Sequence, residues 1–195
     1  MRAKIILAVL GAALFLQIAA LIYQIIYYES VLTYGKTIVL QIRPLDPYNP
    51  FTGRYVNLRL DSFGMKMPKG VRCPTRERER ECKLKLFVAF KDNDGISEPD
   101  EALTAPPSDD RAYLRLEGEG HSDRVSFNYP FDRFYMKEQK ARYVDRSSSI
   151  TNAAQNKVVV IVKALGGKGV VENVLINDIP ISQYIEDMED YGDYK

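Results

Sequence analysis

Between Ile5 and Ile26 the chain carries no charged residue, and this run constrains everything else. At 1.5 Å per residue it makes a helix of roughly 33 Å, enough to cross a hydrocarbon core of about 30 Å. Gln17 and Gln24 are its only strongly polar residues, and Tyr23, Tyr27 and Tyr28 gather at its far end, as an interfacial aromatic belt does. Arg2 and Lys4 precede the run and Glu29 is the first charge after it. Positive charge is retained in the cytoplasm, so the expected topology is a single pass in the inner membrane, N-terminus inside and the remainder on the periplasmic side. The competing reading is a cleaved signal peptide, with Ala19-Ala20 near the cut. The apolar run continues through Leu21, Ile22, Ile25 and Ile26, longer than a signal h-region, which favours a retained anchor.

About 165 residues follow the anchor, enough for one domain with its own core. The expected divisions are an anchor over 1–29, a tether over 30–36, a β-rich domain over 37–184 and an acidic tail over 185–195. All 26 acidic residues follow the span, and of the 27 basic ones only Arg2 and Lys4 precede it. A domain so close to neutral lacks the basic excess of a nucleic-acid binder. In an oxidising compartment Cys73 and Cys82 are expected to form a disulfide. With His121 as the lone histidine, they make a poor metal set.

The pattern after the anchor is short, alternating and punctuated by Gly and Pro. Ile38, Leu40 and Ile42 share one face of a strand, and Val56, Leu58 and Leu60 one face of the next. Pro44, Pro47 and Pro50 interrupt the ladder between them. Residues 62–81, with the Arg76–Glu81 charge run, read as an exposed excursion. Leu84, Leu86, Val88 and Phe90 point inward from a clear strand, Asp92-Asn93-Asp94-Gly95 reads as a turn, and 97–111 as a polar loop. Short strands follow at Tyr113–Glu117 and Val125–Tyr129, and one short helix is expected over Lys137–Tyr143. Val158–Val162 is a continuous β-branched run, expected to be buried on both faces, and Gly166-Gly167-Lys168-Gly169 turns it back into Val170–Ile176. The fold expected is mostly β: a small antiparallel barrel or sandwich of about six to eight strands.

No motif points to a reaction. Asp92–Gly95 fails the EF-hand register, since its first ligand position would fall on Phe90. His121-Ser122-Asp123 has the residue types of a hydrolase triad, but beside Gly118 and Gly120 it reads as a hairpin tip. Gly166–Gly169 lacks the Lys-Ser/Thr and following helix of a phosphate loop. No catalytic residue, cofactor or metal is assigned.

Arg43-Pro44-Leu45-Asp46-Pro47 followed by Gly53-Arg54-Tyr55-Val56-Asn57-Leu58-Arg59-Leu60 resembles the GDYXXLXY family. Gly53, Tyr55 and Leu58 keep the motif, while Arg54 stands for its Asp and Leu60 for its second Tyr. Asp92–Gly95, Tyr113-Leu114-Arg115-Leu116 and Arg133–Glu138 are similar to later family segments. The resemblance runs over about 37–180. It implies a membrane-anchored, β-rich extracytoplasmic domain, often beside a multi-spanning membrane protein, and no reaction or cofactor.

The motif itself reads first as structure, with Gly53 easing the turn and Val56, Leu58 and Leu60 supplying core. Its functional reading is a polar binding cluster of Arg43, Asp46, Arg54 and Tyr55 at the strand ends. The leading expectation is an accessory domain acting with an integral membrane protein. The rivals are a binding module for an envelope glycan or lipid head group, which a shallow polar groove would favour, and an unrecognised hydrolase, which a deep pocket with convergent carboxylates would favour.

Overall fold

The computed structural model describes residues 2–46, 55–71, 73, 82–136 and 157–192. Helix α1 (Arg2–Tyr34) is followed by β1 (Lys36–Gln41), β2 (Arg43–Asp46), β3 (Tyr55–Arg59), β4 (Phe63–Lys66), β5 (Cys82–Asn93) and β6 (Ile96–Leu103). Then come β7 (Tyr113–His121), β8 (Arg124–Phe127), β9 (Arg133–Tyr135), β10 (Val158–Leu165), β11 (Lys168–Ile176), β12 (Ile179–Pro180) and helix α2 (Ile181–Gly192).

The strands make three antiparallel sheets, ordered β1-β10-β11-β12, β2-β3-β9 and β4-β8-β7-β5-β6. The last is nearly closed, its outer strands β4 and β6 approaching each other. One apolar cluster joins the sheets: Ile38 and Leu40 from β1, Val160 and Val162 from β10, Leu86 and Val88 from β5, Leu114 from β7 and Phe127 from β8. Alternation along each strand puts these on the inner face, and no polar side chain among the described residues is buried with them. Val159, on the opposite face of β10 from Val160, is also buried, as expected of that run.

The expected turns form. Gly166 and Gly167 (φ 60° and 83°) close β10 onto β11 with Leu165 opposite Lys168, and Asp94 and Gly95 (φ 52° and 80°) close β5 onto β6. Positive φ at both central positions matches the right-handed twist of the strands. The Gly95 N–H donates to Asp92 Oδ1 at 3.0 Å. The Cys73–Cys82 disulfide is formed, with Cα atoms 5.9 Å apart. Gly120 makes room for it, since a Cβ there would stand 2.4 Å from Cys73 Sγ.

Four expectations change. Residues 30–34 are not a tether: α1 continues to Tyr34, and Val31 is fully buried against the domain. Phe63–Lys66, inside the supposed excursion, is β4, paired with β8. Ile96–Leu103, inside the supposed loop, is β6, the edge strand on β5. Pro99 is tolerated there because an edge strand has a free side and the register shifts at Ala89/Phe90. The supposed acidic tail is helical: Ile181 and Ile185, four apart, are both fully buried, which anchors a helix whatever its outer face carries. The Lys137–Tyr143 helix and the Arg76–Glu81 run fall outside the described residues.

Candidate functional site at the helix–domain junction

One residue separates α1 from β1. The Gly35 N–H donates to the Val31 carbonyl at 2.9 Å, ending the helix. A Cβ on Gly35 would lie 2.3 Å from that carbonyl oxygen and 3.0 Å from the Ala164 nitrogen, so only glycine fits between helix and β10. One turn earlier the Ser30 hydroxyl donates to the Ile26 carbonyl at 2.7 Å, a helix-internal contact.

Beside this joint the β10–β11 turn is wedged between α1 and β7. Short β8 covers only the Gly118–His121 half of β7. The uncovered half takes the turn: the Arg115 N–H donates to the Gly167 carbonyl at 2.7 Å, and Gly167 packs so closely on Arg115 Cβ that a side chain would crowd it. The turn's other flank meets the helix, with Lys168 Nζ 4.8 Å from the centroid of the Tyr27 ring. Tyr27 in turn touches Tyr23 and Tyr28, with ring centroids 6.4 and 5.9 Å apart.

These contacts enclose an open cleft of about 480 Å³, lined by Tyr27, Lys85, Arg115, Glu117, Asn128 and Lys168 among others. A second groove of about 370 Å³ continues along α1 past Ala20, Tyr23, Gln24 and Tyr28, sharing Tyr27 and Lys168 with the first. The cleft holds three cations and one acid. Lys85 lies 3.8 Å from Glu117. Neither Arg115 nor Lys168 has a carboxylate partner among the described residues. The Arg115 guanidinium sits 5.7 Å from the Phe87 ring centroid, and that ring meets Tyr113 edge-on. The cleft therefore offers uncompensated positive charge at the polar end of an aromatic-walled groove.

A third cleft, of about 490 Å³, lies where β4 and β6 approach, between Lys66, Lys69 and Arg124 on one side and Asp100 and Glu101 on the other. Its acids are already engaged. Arg111 bridges Asp100 at 2.7 Å, Glu101 at 3.3 Å and Asp109 at 2.7 Å, and Lys91 reaches Asp100 at 3.4 Å. The Arg111 backbone N–H, and then its guanidinium, hold the Asp109 carboxyl below the usual 3.8. Near Phe63, Phe90 and Phe127, burial pushes the Tyr129 hydroxyl well above the ordinary tyrosine value.

Of the residues expected to bind, Arg43 and Asp46 lie on β2 opposite Arg59 and Asn57, and Tyr55 opens β3 opposite Tyr135. The register sets Asp46 and Tyr55 at the base of the 47–54 connection and Arg43 three residues back along β2. The side chains of all three, and the whole of Arg54, fall outside the described set. His121 ends β7, and Ser122 (φ 58°) and Asp123 make the turn to β8, whose Asp123 carbonyl accepts the Met67 N–H at 2.8 Å.

Sequence reasoning missed Lys85, Arg115 and Lys168 as a group. Each sits on an outward strand position or a turn, where lysine and arginine are ordinary. Only the docking of the turn on β7 and the continuation of α1 bring them together.

No curated protein and no solved structure matches the chain. The GDYXXLXY protein family matches residues 17–174, beginning inside α1 and ending inside β11, so the match takes in part of the helix, its joint and most of the domain. The name motif falls on Gly53–Leu60, where Leu58 is buried in the core and Leu60 packs against it. With four-fifths of its length matched, the chain belongs to the GDYXXLXY protein family.

Proposed function

We propose that the protein is a single-pass inner-membrane protein whose periplasmic domain serves as an accessory to an integral membrane partner. The observation that carries this reading is the state of α1. It is long and apolar enough to cross a membrane, it is exposed to its surroundings over nearly its whole length, and its last turns are built into the domain. Such a helix needs lipid or another helix around it. The domain it carries is held against the exit point. Gln17 and Gln24 are exposed on it, and polar side chains in hydrocarbon take up interhelical hydrogen bonds worth about 0.6–2 kcal/mol each. The region from Arg43 to Tyr55, with Asp46 and Arg54, is the surface this reading assigns to the partner.

The test is co-purification from membranes in mild detergent. The wild-type chain should bring down a stoichiometric membrane protein, and Gln17→Leu with Gln24→Leu, or separately Arg54→Ala, should weaken the complex and leave the domain folded. Extraction as a lone chain overturns the partner. Protease added to intact spheroplasts should remove the domain, and full protection overturns the orientation.

A further inference from the structure

We propose that the cleft bounded by Tyr27, Arg115 and Lys168 holds the phosphate of an anionic phospholipid from the leaflet beneath the domain, with an acyl chain lying in the groove along α1. The proposal rests on α1 crossing the bilayer and is independent of any protein partner.

Three observations converge on a lipid. The first is charge. Arg115 and Lys168 face the cleft without a carboxylate partner among the described residues, and Lys85 adds a third cation shared with Glu117. A guanidinium and an ammonium together match a phosphodiester, the first as a planar fork and the second as a point charge. The chain's net charge is only +1, so overall attraction to an anionic surface is weak and any preference must come from a local arrangement such as this one.

The second is depth. If Ile5–Ile26 fills the hydrocarbon, Tyr27 stands at its edge, at the level where phosphates lie. Lys168 reaches Tyr27, so its ammonium is fixed at that level by a turn that is itself hydrogen-bonded to β7.

The third is continuity. The cationic cleft opens through Tyr27 and Lys168 into a groove walled by Tyr23 and Tyr28 and floored by Ala20, whose short side chain leaves space on the helix surface. From Ala20 to Tyr27 the helix rises by about 10 Å, a stretch an acyl chain can follow. Gln24 lies between them on the groove wall. A soluble anion would use the cleft alone and leave the groove empty. The cleft between β4 and β6 has cations as well, but Asp100 and Glu101 stand opposite them, and among the described residues it shares no wall with the groove along α1.

The full-length protein, purified and reconstituted into phosphatidylcholine nanodiscs doped with phosphatidylglycerol, is released into native mass spectrometry. Retention of phosphatidylglycerol over phosphatidylcholine is expected. R115Q with K168Q should lower that retention about tenfold. R115K with K168R should keep most of it, and K91Q, on β5 away from the cleft, should change nothing. Equal retention of the two lipids, or a double glutamine variant that retains phosphatidylglycerol like the wild type, overturns the proposal. Displacement of the lipid by millimolar inorganic phosphate overturns the lipid in favour of a soluble anion. Failure to find a co-purifying protein bears on the accessory role and leaves this result untouched.

Discussion

Helices α1 and α2 both pack against β11, yet they meet their surroundings in opposite ways. On α1 the described apolar side chains are mostly open, Leu7 at 72 % and Phe15 at 71 % exposed, and Val31 alone is fully buried. On α2 Ile181 and Ile185 are fully buried while Glu186 and Asp187 face outward. The richer helix in apolar residues is thus the one the domain covers less. Apolar content measures what a helix needs around it, and the spacing of that content decides whether the protein can provide it. α2 has one stripe, which a sheet can cover. α1 is apolar all round, which only a surrounding solvent of lipid or helices can satisfy.

Truncations at matched positions break or sharpen this contrast. Ile185→Ala removes a buried side chain from α2 and should destabilise the domain by about 3 kcal/mol. Leu14→Ala, on open α1, should leave it within about 0.5 kcal/mol of wild type. Thermal unfolding of the full chain in detergent, followed by tyrosine circular dichroism, reads both, and equal losses would erase the distinction between the helices.

The disulfide is set apart from both helices, so it tests whether α2's contribution is independent. In the chain-entropy picture, Cys73→Ser should cost about 2.5 kcal/mol. Combined with Ile185→Ala the losses should add, and a shortfall beyond about 0.5 kcal/mol would show that the two regions are coupled.

At the foot of α1 the contrast reverses, because Val31 belongs to the domain. Val31→Ala should cost about 2 kcal/mol. Gly35→Ala should cost a similar amount, the new methyl displacing the Val31 carbonyl or β10. Hydrogen exchange should then show the Gly35 N–H opening ahead of the sheets in either variant, and an unchanged rate would mean that α1 merely leans on the domain.

The smallest effect calibrates the rest. Asp109 is held below its usual pKa of 3.8 by Arg111. Its unfolded form therefore binds protons first, and its contribution to stability is complete above that pH. It is lost as the pH falls below 3.8 toward the lower folded-state value. Denaturation midpoints taken at descending pH should show this loss, and Arg111→Gln, which keeps the backbone N–H donor, should remove only the guanidinium's share of it while leaving the helix variants' differences intact.

How much of this was readable in the sequence depended on whether the signal was local. The β10–β11 hairpin was plain because Gly166-Gly167 can adopt positive φ and the β-branched run before it fits a strand buried on both faces. β6 was hidden because Ser97, Glu98 and Asp100 are polar and Pro99 lacks a backbone donor, and its pairing depends on β5 lying alongside. α2 was masked by its acids, although Ile181 and Ile185 at helical spacing carried the signal. The expected cluster of Arg43, Asp46, Arg54 and Tyr55 could be placed on its strands but not joined into a site. The cationic cleft was illegible because its three cations come from three separate strands, and its helical wall begins where the sequence suggested the helix was ending.

The join at Gly35 leaves the domain almost no swivel. With one residue between helix and strand, the compass heading of the domain around the α1 axis follows the rotational phase of the helix. Adding one residue to α1 between Ile26 and Val31 would turn the domain by about 100° around that axis, whereas adding seven would bring it back to within about 20° of its starting bearing. Length and bearing can therefore be varied separately. Whatever the domain faces, α1 works as a keyed shaft that sets which side is presented to it.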